Sequence, residues 1–169
     1  VSIDLGARLG GYNGDNAATF AAGAISSEAK RLCDTTRESL YVGIQKAVAG
    51  GRVGDIGSAI AQYCEARGFS VVREFVGHGI GREMHEDPQV PNHGRRGSGM
   101  LLKNGLCIAI EPMITMGKRD IAMLNDKWTI VTRDGRPAAH FEHTVCVRKG
   151  RADILSSFDE IEKVLRYKS

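Results

Sequence analysis

Proline and tryptophan are scarce in this chain, four and one among 169 residues. No hydrophobic run approaches the roughly 20 residues that a membrane-spanning helix needs. The start, VSIDLGARLGG, has neither the charged region nor the apolar stretch of a secretory signal peptide. The four cysteines, Cys33, Cys64, Cys107 and Cys146, form no C-x-x-C pair. That argues against a disulfide framework or a zinc ribbon and for reduced, small core residues. Neither sign of charge dominates: 23 Lys and Arg against 20 Asp and Glu leave a net +3. The signs are mixed along the chain, so neither a nucleic-acid nor a membrane partner is signalled. What is present, 42% hydrophobic and 25% charged residues, suits one soluble globular domain with a real core, expected in the cytoplasm.

The chain does not start with Met, and Val1, Ile3 and Leu5 alternate with Ser2 and Asp4 from the first residue. It therefore reads as a strand from the outset, and as the remainder of a longer polypeptide. The pattern predicts a hairpin, Val1 to Leu9 and Tyr12 to Phe20, around a Gly10-Gly11 turn. A helix capped by Ser26 or Ser27 follows, with Leu32, Leu40, Ile44 and Val48 on its apolar stripe, until Gly50-Gly51 stops it. A second helix is expected from an Asp55 cap, burying Ile56, Ile60, Tyr63 and Cys64 and ending at Gly68. Strands are expected at Ser70 to Val76, Leu106 to Ile110, Lys127 to Thr132 and Ala138 to Val147, with a loop over residues 83–99 and a short terminal helix from Asp159 to Arg166. The fold class is a single α+β domain with mainly antiparallel strands.

A two-residue Gly-Gly turn sets Asp4 opposite Ala17, with Asp15 two residues along on the same face. Their Cβ atoms would then lie roughly 7 Å apart, within reach of one cation or a cation pair. Two acids on one strand face raise each other's pKa unless a positive ion intervenes. The hairpin alone leaves a solvated outer face as an equal reading.

Three more residues shift the balance. His78 sits between Gly77 and Gly79 at a strand end, where glycines let backbone pack close and leave the imidazole facing a cavity. Glu111 directly follows the apolar LCIAI, and a buried Glu there needs a partner. Glu142 lies in AAHFEHTVCV, where alternation puts His140, Glu142, Thr144 and Cys146 on one face. Unpaired buried carboxylates cost several kcal/mol each, and a shared metal centre explains all five groups at once. The set Asp4, Asp15, His78, Glu111 and Glu142 is oxygen-rich with one nitrogen and no thiolate. It suits a pair of divalent ions such as Mn, Co, Fe or Zn better than a structural zinc.

The ordered motifs IDLG, YNGD, GHGIG, IEPM and FEHT, with GHGIGREMHEDPQVPN and KWTI as context, resemble the methionine aminopeptidases, on the bacterial-type (type I) branch of the pita-bread metallopeptidases. The resemblance covers essentially the whole chain. It implies a pita-bread fold, a curved antiparallel sheet with outer helices, over a single catalytic domain at 1–169. It also implies that Asp4 chelates one of two divalent ions, that Asp15 and Glu142 bridge both, and that His78 and Glu111 hold the other. By the same resemblance Glu111 shuttles a proton, His85 contacts the scissile carbonyl, and Met84 and Trp128 border the methionine pocket. The implied reaction is removal of the N-terminal methionine of nascent polypeptides, met at the ribosome, by a hydroxide bridging the ions, in a protein monomeric at full length. Proline-specific relatives usually carry IEPG rather than IEPM. The type II branch has a long insertion where here only 32 residues separate His78 from Glu111.

The departures from the family pattern are also specific. Met84 stands where many members have an aromatic, and His140 where many have Gln, so His140 is expected either to tune the site near neutral pH or to cap a strand. Taken alone, His85 reads as a loop histidine and Trp128 as a core residue. Family members carry an upstream segment with two helices, part of the sheet and a substrate-binding histidine. The domain is thus expected to be incomplete at its N-terminus, marginally stable and poorly active by itself. A non-catalytic pita-bread binding module and an inactive truncated fragment are the alternatives.

Overall fold

Gly10 and Gly11 take φ of 59° and 86°, a conformation glycine adopts without penalty and one that matches the twist of a tight hairpin. The turn joins β1 (Ser2–Leu9) to β2 (Tyr12–Thr19). The computed structural model describes residues 1–166. After the hairpin come α1 (Ser27–Ile44), α2 (Val53–Glu65), β3 (Ser70–Val71), β4 (Gly77–Gly79) and β5 (Glu86–Val90). They are followed by β6 (Cys107–Ile110), β7 (Met113–Thr115), β8 (Ile121–Met123), β9 (Ile130–Thr132), β10 (Ala138–His140), β11 (Glu142–Val147), β12 (Ala152–Ile154) and α3 (Asp159–Arg166).

The main sheet runs β1-β2-β11-β6-β4-β5, with β12 also on β11. A smaller sheet is ordered β10-β7-β3, and β8 pairs with β9. Every strand pairing is antiparallel. Leu32 and Leu40 of α1 and Ile56 and Ile60 of α2 form one buried cluster with Ile108, Ile110, Ile114, Val145 and Val147 of the strands. That burial of helix stripes against sheet holds the layers together. At the other extreme, β1 is an edge strand exposed along its whole length, with Leu5 69% and Leu9 88% accessible.

Several expected elements change. The run from Ala138 to Val147 is not one strand: it breaks at Phe141, β10 joining the small sheet and β11 the main one. The neighbouring chain breaks in the same way at Glu111-Pro112, between β6 and β7. The two broken strands therefore bend together, and Pro112, without an N–H, cannot continue a ladder. Ser70 to Val76 contributes only Ser70–Val71 as strand, and the expected loop at 83–99 contains β5. The strand expected from Lys127 begins only at Ile130, after a turn in which Lys127 has φ 58°. Helix α1 stops at Ile44 rather than at Gly50, since Ala49 N–H donates to Arg148 O and Gly50 N–H to Leu102 O. Asp55 is not the cap of α2 but lies in its first turn, its carboxylate accepting from Arg52 N–H and Gly97 N–H. Cys107 and Cys146, on adjacent strands, are register partners with free thiols.

Candidate metal centre

The register across three strands assembles the acids. Asp4 pairs with Ala17 and Gly6 with Asp15 across the hairpin, and Glu142 pairs with Ala17 from the other side. Side chains at paired positions share a face, so Asp4, Asp15 and Glu142 converge over the small Ala17. His78 arrives on β4, whose flanking glycines are obligatory. A Cβ on Gly77 would collide with Ala109 O, and one on Gly79 with Asp87 O. Glu111 arrives at the bend after β6, its carbonyl accepting from the fully buried Asn92 side-chain amide at 2.9 Å.

The distances describe two linked groups. Ligand atoms of Asp15, His78 and Glu142 lie within 4.8 Å of one another, as do those of Asp4, His140 and Glu142. His78 Nε2 is 3.9 Å from Asp15 Oδ2 and 3.8 Å from Glu111 Oε1. Its Nδ1 lies 2.9 Å from Gly79 O, which holds the proton on Nδ1 and turns the Nε2 lone pair toward the carboxylates. All five expected ligands thus meet. The sequence reading placed His140 on the Glu142 face but did not count it among the ligands; the structure puts its ring in the same cluster.

The electrostatics favour a cation. Glu142 is 1% exposed and its Oε1 has no hydrogen-bond partner. Burial, then the charges of Glu111, Asp15 and Asp4, push its carboxyl up to about 9. Asp15 is also raised, by burial first and by Asp4 second. A buried set of mutually repelling carboxylates with an orphaned oxygen fits divalent ions, which neutralise it and fill the vacant acceptor positions.

Two threonines that the sequence reading did not single out as positioning residues hold the frame. Thr144 Oγ1 donates to Asp15 O at 2.9 Å and accepts from Asp15 N–H at 2.8 Å. Thr19 Oγ1 does the same for His140, donating to its O and accepting from its N–H, both at 2.9 Å. Such hydroxyls substitute for a ladder where strands splay. Around the rim, the ring of His85 lies 4.3 Å from that of His78. Met84 lays its thioether end against Gly6, the register partner of Asp15. Trp128 is 86% exposed beyond β8 and is not the core residue it reads as when taken alone.

The sequence profile of metallopeptidase family M24 matches residues 1–149. The chain belongs to metallopeptidase family M24. Membership implies divalent metal ions, and the donor set of this cluster fits them. The chain is 50% identical over 156 residues to methionine aminopeptidase 1 of Bacillus subtilis, matching 92% of this chain and 63% of that protein. It is 41% identical to the methionine aminopeptidase of Escherichia coli, matching 92% of this chain and 59% of that one. This M24 chain thus spans about three fifths of the length of the curated relatives it matches. The crystal structure of the Thermotoga maritima methionine aminopeptidase superposes with a TM-score of 0.89 at 44% identity, over 91% of this chain and 62% of that one. The Pyrococcus furiosus prolidase superposes with a TM-score of 0.71 at 22% identity, over 92% and 40%, and shares the fold. The architecture is the pita-bread fold.

Proposed function

We propose that this chain carries the catalytic centre of a type I methionine aminopeptidase, which removes the N-terminal methionine of nascent polypeptides by hydrolysis of the first peptide bond. The observation that carries the reading is the buried Glu142 shared by two ligand groups, Asp15–His78 and Asp4–His140. A carboxylate so placed suits two ions rather than one. Mn, Co, Fe and Zn all accept this mixture of oxygen and imidazole donors. The similarity to methionine aminopeptidases, at 41–52% identity, supports the substrate class over that of the prolidases at 22–23%.

When bound, the ions supply Lewis-acid polarisation of the scissile carbonyl and acidification of water. Asp4, Asp15, His78, Glu111 and Glu142 hold them. Glu111 also takes a proton from the attacking water and returns it to the leaving amine, which its position within the cluster, 3.8 Å from His78 Nε2, allows. His85, exposed and with its ring tilted against that of His78, donates toward the developing oxyanion. Met84, beside the hairpin, offers an adaptable apolar wall for a methionine side chain, and Trp128 borders the approach of the peptide. By this reading the reaction takes place on nascent peptide ends at the ribosome, in the cytoplasm, and is carried out by a monomer at full length; among the described residues no helix is long and apolar enough to cross a membrane.

The test is to load the chain with Mn or Co and follow release of the first residue from Met-Ala-Ser and Leu-Ala-Ser side by side. Methionine should be released at least about tenfold faster than leucine. Equal rates, or no release with metal bound even when the upstream segment that relatives carry is supplied, would refute the reading.

A further inference from the structure

We propose that His140 is a sixth metal ligand of this centre, placing an imidazole nitrogen on the cation held by Asp4 and Glu142. The inference rests on the two-ion reading above and concerns which metals that second position prefers.

The geometry points there from three sides. The ligand atoms of Asp4, His140 and Glu142 lie within 4.8 Å of one another. His140 Nε2 is buried without a hydrogen-bond partner, and so is Oε1 of the 1% exposed Glu142 in the same group. The nearest competing partner of the ring is Glu111 Oε2, at 3.5 Å. That is longer than the roughly 2.7–3.2 Å of a formed hydrogen bond. Two unpaired buried acceptor positions beside an acid are costly as they stand, and one cation satisfies both.

The backbone around His140 supports the same conclusion. Thr19 clamps both its N–H and its carbonyl, so β10 delivers the ring to the cluster even though the strand has left the main sheet at Phe141. Without His140, the donors facing that cation are the carboxylates of Asp4, Glu142 and the neighbouring Asp15, a hard oxygen set. An imidazole moves the set toward borderline ions, so Co, Zn and Ni gain relative to Mn and Mg. Glutamine, which fits the same space, does not make that shift.

The experiment titrates the metal-free 169-residue chain and its His140→Gln and His140→Asn variants with Co(II) and Mn(II), by calorimetry and by NMR of histidine ring signals shifted by bound Co(II). Melting curves confirm that the variants fold, and Glu142→Ala serves as the control that removes the shared ligand. The wild-type chain should bind two Co equivalents with two ligating imidazoles, His78 and His140. Each His140 variant should keep one equivalent and one shifted ring, lose about tenfold or more in Co affinity for the other, and lose less than about threefold for Mn. Unchanged shifted rings and Co affinity in both variants would overturn the proposal, as would equal loss for Co and Mn, which marks a merely structural residue. Wild-type protein that binds no metal, or binds it as well after Glu142→Ala, would overturn the two-ion reading and this proposal together. A chain with the expected ring signals that releases methionine and leucine at equal rates would leave His140 a ligand and overturn only the assigned reaction.

Discussion

Asp4 and Glu142 stand on either side of one small residue: Ala17 is the register partner of Asp4 across β1 and β2 and of Glu142 across β2 and β11. Only a methyl group lies between an exposed carboxylate and a buried one. The buried member bears the electrostatic cost, with its carboxyl raised to about 9.

That cost sets a pH dependence for the metal-free protein. Because the folded-state pKa of Glu142 lies above its ordinary 4.5, its contribution to stability is complete below about pH 4.5 and is lost as pH rises toward 9. Thermal melts of metal-free protein should therefore show a Glu142-dependent fall across that window, and Glu142→Gln should flatten it. Added Mn or Co should raise Tm more at pH 8 than at pH 5, because the ion binds the carboxylate form. A metal-induced shift independent of pH would contradict this.

His143 predicts the opposite slope. It lies on the other face of β11, fully buried, with its ring centroid 4.0 Å from that of Phe158 and 5.7 Å from that of Tyr41. Burial lowers its pKa from 6.5 to about 4. Its stabilising contribution is therefore present above about pH 6.5 and is lost as pH falls toward 4, by up to roughly 3 kcal/mol. Denaturant melts of wild type and His143→Gln should diverge at neutral pH and converge near pH 4. Parallel curves would show that the ring does not titrate on unfolding.

Gly79 tests how tightly the histidine strand is enclosed. An added methyl meets the Asp87 carbonyl, which is backbone and cannot swing away. Gly79→Ala should cost roughly 1–3 kcal/mol or more and weaken metal binding by displacing His78. Gly14→Ala, in β2, has nothing within 4 Å of its new methyl and should melt close to wild type. Equal effects at the two positions would remove the argument for close approach at β4.

The hairpin was fully legible in the sequence, down to Asp4 opposite Ala17, because a two-residue glycine turn leaves one register open to the strands that flank it. The five ligands were legible for a different reason: a carboxylate or imidazole in an apolar strand advertises an unmet partner wherever the strand lies. Hydrogen bonds between residues far apart in the chain were not legible. The Thr19 and Thr144 clamps and the arrival of His140 beside Asp4 join residues more than 100 positions apart. The break at Phe141 follows from pairing with β7 on one side and β6 on the other, and the strand hidden in residues 83–99 pairs with β4 through an irregular register at His78 and Gly79. Alternation correctly put His140 and Glu142 on one face, yet it treated them as neighbours on one strand. The bend that sends them into different sheets is set by Pro112 and Thr19 taking over backbone positions from outside. Turn chemistry and the cost of burying charge act on a few adjacent residues, and the sequence by itself determined what they control. Which distant strands meet, and which side chain completes the cluster, was decided only when the whole chain packed.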